Sequence, residues 1–246
     1  PQYSAHNPYQ IPYPGRYPVP PRKRGRAILA TLLLLLGCLL LPLGIASVWL
    51  HTAIMDEDGY VSTVKPLARD PAIQAAVADT ITGVVERQGF CRIVVSTGAS
   101  QFEMFQALTA MPGIPWDKVT MFHLDEYVGL PESHPASFRG YLKERFTSKV
   151  PLQEAVFVNG EAPSLAEEIA RLTARLREAP IDLGIVGIGE NGHIAFNDPP
   201  ADFDTREAYI VVNLSDTCKR QQVREGWFPD EASVPRQAVT MTVWQI

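Results

Sequence analysis

The sequence predicts an α/β protein: a parallel sheet with helices on both faces, preceded by a disordered tail and one transmembrane helix. Three observations carry this. Short apolar, β-branched runs alternate with amphipathic stretches from Cys91 onward, the pattern of strands joined by crossover helices. Three of these runs empty into small or polar residues, STGAS (96–100), DEYVGLP (125–131) and GIGENGHIAFNDPP (187–200). Far ahead of them, Ala27 to Leu50 contains no charged residue.

Taken in order, Pro1 to Pro21 is rich in Pro and Tyr, cannot bury a core, and is expected to be extended. Arg22, Lys23, Arg24 and Arg26 follow, and residues 1–26 together form a basic tail. The apolar run 27–50, at about 1.5 Å per residue, spans roughly 36 Å and is long enough to cross a bilayer core of about 30 Å. Basic residues precede it and Asp56, Glu57 and Asp58 follow it, so the charge rule puts the amino terminus in the cytoplasm and the remainder outside. The net charge of −5, with no long basic run after Arg26, gives no reason to expect nucleic acid as a partner. Cys38, Cys91 and Cys218 are too scattered for a disulfide framework or a metal site and read as packing residues.

In residues 51–85 a helix is predicted from Pro71, with Asp70 as its N-cap and Ile73, Ala76, Val77 and Ile81 as its apolar stripe. Strands are predicted from Cys91, over Lys118–Leu124, Ala155–Val158, Leu183–Ile188 and Ala208–Asn213. Helices are predicted after STGAS and over Ser137–Phe146, Leu165–Arg177 and Asp216–Trp227. The closing RQAVTMTVWQI reads as the start of another helix.

If the strands are parallel neighbours, the three loops line one crevice at their carboxyl ends. STGAS directs backbone N–H groups and a helix amino terminus at one point, which suits an anion; Thr97, Gly98, Ala99 and Ser100 are the candidates. Asp125 and Glu126 are adjacent, so on a strand only one of them enters a given cleft. His193 sits among Asn191, Asn197 and Asp198. An anion cradle, a carboxylate pair and a histidine are the parts for moving protons beside a carbonyl or imine of a phosphorylated small molecule. The loops lack metal-ligand spacing, so acid–base chemistry without a metal or other cofactor is the simpler reading.

STGASQFEMFQAL, FHLDEYVGLPESHPASFRGYL and IDLGIVGIGENGHIAFNDPP together resemble the glucosamine-6-phosphate deaminase/isomerase family, over about Glu86 to Ile246. The resemblance implies a Rossmann-like α/β fold related to 6-phosphogluconolactonase, an amino-sugar phosphate substrate, and homo-oligomers. It implies that Asp125 shuttles a proton between C2 and C1, that His193 opens the sugar ring, and that Thr97 to Ser100 hold the phosphate. Glu126, Asn191 and Asp198 complete the catalytic set; Lys219 and Arg220 are further phosphate-ligand candidates, with a solvent-exposed basic helix face as the alternative reading. AFNDPP favours the deaminase over the lactonase side. Two positions depart from the family pattern: Asn191, where many members carry a carboxylate, and Asp198, shorter than their glutamate by a methylene.

The first 82 or so residues resemble instead a family of single-anchor bacterial membrane proteins of unknown activity. The chain therefore reads as a fusion joined near Ile81 to Glu86. The resemblance further implies a strand, two helices and a phosphate-binding lysine beyond the point matching Ile246, so residues 86–246 read as a truncated domain. A deaminase-like part alone is expected in the cytoplasm. Two alternatives stay open: a non-catalytic, membrane-anchored sugar-phosphate-binding module, and a lactonase-like hydrolase.

Overall fold

The computed structural model describes residues 24–51, 65–98, 101–189 and 192–246. The Pro/Tyr-rich tail, the acidic residues Asp56 to Asp58, and Ala99, Ser100 and Asn191 lie outside the described residues. The chain divides into two compact units, residues 1–50 and 51–246.

In the first unit, α1 (Arg24–Leu50) is one helix of 27 residues that continues through Pro42. Its stretch Ile28–Leu50 has a mean hydropathy of 2.7 and none of it is buried. Over 23 residues it is about 35 Å long, so by length and composition it is able to cross a membrane.

The second unit begins with α2 (Pro71–Gln88). Its start is fixed by Asp70, whose carboxylate accepts from Ala72 N at 2.8 Å, and by Pro71. Gly89, at φ 87°, ends it in the left-handed conformation that costs glycine least. The buried stripe is Gln74, Ala78, Ile81 and Val84, with Ile73 and Val77 half-buried and Ala76 exposed, so the helix is rotated from the predicted face. Residues 81–86, where the sequence changes character, lie inside this continuous helix, and Ile81 and Val84 belong to the core of the α/β unit.

Four strands, β1 (Cys91–Val95), β2 (Val119–His123), β4 (Glu154–Val156) and β5 (Leu183–Ile185), form a parallel sheet in the order β4-β2-β1-β5. Successive side chains point to opposite faces. Ile93, Val95 and Met121 pack with α2, with α3 (Gln101–Ala110) and with Leu142 and Phe146 of the α4 region (Phe138–Leu142, continued by a wider turn to Thr147). Val94, Phe122 and Val156 pack on the other face against Leu172 and Leu176 of α5 (Leu165–Leu176).

That second face is not covered by helices alone. Tyr209, Val239 and Met241 also lie on it. They belong to an antiparallel sheet of β3 (Asp125–Tyr127), β7 (Gln237–Met241) and β6 (Tyr209–Asn213), with β7 in the centre. Two sequence readings are corrected here. DEY is a strand rather than the start of a loop, and the closing stretch forms the central strand of this sheet instead of a helix. The predicted strand over Leu183–Ile188 stops at Ile185, after which the chain turns. The last helix, α6 (Asp216–Arg224), is capped by Ser215, whose Oγ accepts from Cys218 N at 3.0 Å.

Candidate functional site

Going outward from β1, the chain places β2 and β4 on one side and β5 on the other, so the strand order switches at β1. Open α/β sheets bind ligands at such a point, outside the carboxyl ends of the strands. A cleft of about 560 Å³ lies there, lined by Ser96 to Gly98 after β1, Leu124 and Asp125 after β2, and Gly187 to Gly189 after β5.

Ser96 joins two of these ends. Its N and Oγ donate to Ile185 O at 3.0 and 3.2 Å, and its Oγ accepts from Gly187 N at 2.9 Å. The turn that follows needs glycine at 98, where φ is 132°. Tyr141 Oη donates to Gly98 O at 3.0 Å and pins the turn from α4. Thr97 and Gly98 line the cleft.

Strand β3 separates the two carboxylates. Asp125 lines the cleft at 5% exposure. Burial, with the neighbouring Glu126 charge adding to it, pushes its pKa up to about 8. Glu126 is fully buried on the opposite face. It accepts hydrogen bonds from Tyr127 N (2.9 Å), Ser137 Oγ (3.1 Å), Phe138 N (3.2 Å) and Arg139 N (2.8 Å), and Arg139 Nε lies 3.6 Å away. Burial raises its pKa while these hydrogen bonds oppose the rise. Glu126 therefore closes the amino terminus of α4 and is not placed in the cleft, contrary to its expected catalytic position.

His193 stands on the turn after β5. Gly189 N donates to His193 O at 2.8 Å, and a Cβ on Gly189 would lie 2.1 Å from His193 Cε1, so only glycine leaves room for the ring. The loop is tied to β7, since Asn197 Nδ2 donates to Met241 O at 2.8 Å and Phe196 N to Thr240 Oγ1 at 3.1 Å. His193 Nδ1 is 3.3 Å from Asp198 Oδ1, and Asp198 Oδ2 accepts from Ser215 Oγ at 2.7 Å. Burial lowers the imidazole pKa, with Asp198 working against it. The ring is thus neutral at pH 7 and able to accept a proton.

The chemistry here, a carboxyl group tuned to titrate near neutral pH in the same cleft as a neutral histidine held by a second carboxylate, suits proton transfer on a small molecule. A family model described as "Glucosamine-6-phosphate isomerases/6-phosphogluconolactonase" matches residues 67–224. The chain belongs to this family. A glucosamine-6-phosphate deaminase of Streptococcus sanguinis is 34% identical over 159 residues, which cover 65% of this chain and 66% of that protein. One from Oenococcus oeni is 34% identical over 160 residues, with the same shares. The chain spans just under two thirds of the length of these curated relatives.

Among solved structures, a monomeric glucosamine-6-phosphate deaminase superposes with a TM-score of 0.65 at 28% identity, covering 75% of each chain. The 6-phosphogluconolactonase of Thermotoga maritima superposes with a TM-score of 0.57 at 16% identity, over 73% of this chain and 75% of that one, and shares the fold. The matched stretch of the deaminase/lactonase family contains every cleft residue from Ser96 to His193, together with Asp198; Glu225, Trp227 and strand β7 lie beyond it.

The candidate phosphate ligands Lys219 and Arg220 are placed elsewhere, as the exposed-face reading has it. Lys219 Nζ lies 3.7 Å from Asp216, Arg220 donates to Thr217 Oγ1 at 3.2 Å, and neither lines the cleft. Among the described residues lining the cleft there is no Lys or Arg. Gln101, Tyr141 and Glu225 line it without having been singled out from the sequence. Only Gln101 carried a local signal, as the first helical residue after the small-residue turn. Among the described residues no group of three or more His, Cys, Asp or Glu side chains is arranged to hold a metal ion.

Proposed function

We propose that the cleft binds an amino-sugar phosphate and converts glucosamine 6-phosphate and water to fructose 6-phosphate and ammonia. The observation that carries this reading is the separation of Asp125 from Glu126, which turns the buried Asp125 carboxyl group toward the cleft that also holds His193 and leaves Glu126 behind the strand. In the proposed course, His193 takes the proton of the anomeric hydroxyl and delivers it to the ring oxygen as the sugar opens. Ionised Asp125 removes the proton on C2 and returns it to C1, while O1 takes up the proton that the amino group gives up, leaving a hydroxyl on C1 and an imine at C2. The resulting C2 imine adds water and expels ammonia. A base whose pKa is about 8 is stronger than an ordinary carboxylate and matches a carbon acid better. Thr97, Gly98 and the first turn of α3 supply neutral donors for the phosphate end. The full chain is expected to release ammonia from glucosamine 6-phosphate and to form fructose 6-phosphate in equal amount. Binding without turnover favours the sugar-phosphate-binding module, and hydrolysis of 6-phosphogluconolactone in its place favours the lactonase reading.

The same reading includes a membrane anchor. Ile28–Leu50, apolar and wholly unburied, supports it. The full chain is expected to stay in the membrane fraction through alkaline carbonate extraction; its release into the supernatant would sink the anchor.

A further inference from the structure

Gln101 opens α3 on the floor of the cleft and is 6% exposed. Its Oε1 is buried without a hydrogen-bond partner among the described residues. The other end of the carboxamide, Nε2, points toward the glycine loop, 3.9 Å from where a Cβ on Gly187 would lie. The carboxamide therefore sits where the turn after β1 meets the turn after β5, beside the Ser96 hydroxyl that already joins them. A buried acceptor left without a donor destabilises the fold, and the folded state gains nothing visible from keeping it. An apolar side chain of the same length would fill the space without that penalty.

We infer that Gln101 is a specificity-determining residue whose carboxamide receives a hydroxyl group of the bound sugar chain. A hydroxyl both donates and accepts, as the carboxamide does, and half a turn about the terminal torsion exchanges Oε1 and Nε2 without changing the side chain's shape. This rests on the amino-sugar phosphate reading and deepens it. The contact would read the carbon chain of the substrate and leave its phosphate to the neighbouring turn.

The test is Gln101→Met in the full chain, measured by thermal unfolding and by titration with glucosamine 6-phosphate and, separately, inorganic phosphate. The melting temperature is expected to hold or rise. Affinity for glucosamine 6-phosphate is expected to fall about tenfold or more, as when a group built to pair with a substrate hydroxyl is lost, and affinity for inorganic phosphate to change less than about twofold. A lowered melting temperature would mean that the carboxamide already has a structural partner, and overturns the inference whether or not the wild type turns over substrate. Equal loss toward both ligands overturns it by assigning Gln101 to the phosphate, and unchanged affinity for glucosamine 6-phosphate does so while the wider functional reading stands. A wild type that binds neither ligand defeats that reading and this inference together.

Discussion

The two sides of strand β3 treat neighbouring carboxylates in opposite ways. Behind the strand, Glu126 has three backbone amides, a serine hydroxyl and a guanidinium around it, so its bonding capacity is used up in fixing the start of α4. In front, Asp125 is just as desolvated but is turned into the cleft, where its pKa is held near 8. Burial alone does not distinguish a structural acid from a reactive one. The partners do: a carboxylate saturated by main-chain donors stabilises the fold, whereas one left facing a cavity keeps its proton available.

The sharpest way to break this contrast is Asp125→Asn. Ammonia release is expected to fall by about 10²- to 10⁴-fold, the range for loss of a general base. Stability should move the other way. The native state holds a proton on Asp125 that the unfolded chain gives up above about pH 4, so the wild type loses stability as pH rises from about 4 to about 8 and no further beyond. Urea unfolding is expected to find Asp125→Asn matching the wild type near pH 4 and exceeding it at pH 8, by on the order of a few kcal/mol. For the free protein, kcat/KM should rise toward pH 8 as Asp125 ionises. A variant that keeps its activity, or that is less stable at pH 8, would remove Asp125 from the cleft's chemistry.

Glu126→Ala should do the reverse: it strips several buried donors and the Arg139 guanidinium of their common acceptor. A loss of about 3–5 kcal/mol in urea unfolding is expected, in the range seen when one partner of a buried pair is removed. Whatever protein remains folded at low temperature should keep the pH profile set by Asp125. A small stability change together with a shifted pH profile would mean that the two acids act as one catalytic pair.

The sequence allowed this division to be foreseen but not assigned. Alternation along a strand places residues 125 and 126 on opposite faces whatever the fold. Which face becomes the cleft depends on Ser137 and Arg139, eleven and thirteen residues away, and on β7 more than a hundred residues away. The parallel strands β1 and β2 were legible as mainly apolar runs, CRIVV and VTMFH, that empty into small or polar residues. Strand β7 was not, because Ala238 and Met241 favour helices as readily as strands, and burial of Ala238 through Met241 without a break erases the two-residue period. The ties of Phe196 and Asn197 to Thr240 and Met241, which fix the histidine loop on β7, were hidden with that strand. Asp70, Ser137 and Ser164 act as N-caps through contacts within two or three residues, and local effects of that kind survive in the sequence.

Ser215 gives the smallest effect and the finest cut between the two roles. Its hydroxyl accepts from Cys218 N, which caps α6, and donates its one proton to Asp198 Oδ2, which holds His193 through the other oxygen. One side chain thus serves fold and site together. Ser215→Ala is expected to cost about 1 kcal/mol, the usual loss for an N-cap. It should also lower ammonia release severalfold by letting Asp198 turn away from the imidazole. Ser215→Thr keeps the hydroxyl and should restore both. If Ser215→Ala lowers stability by that amount and leaves turnover untouched, the cap is only a cap, and Asp198 orients His193 without help from α6.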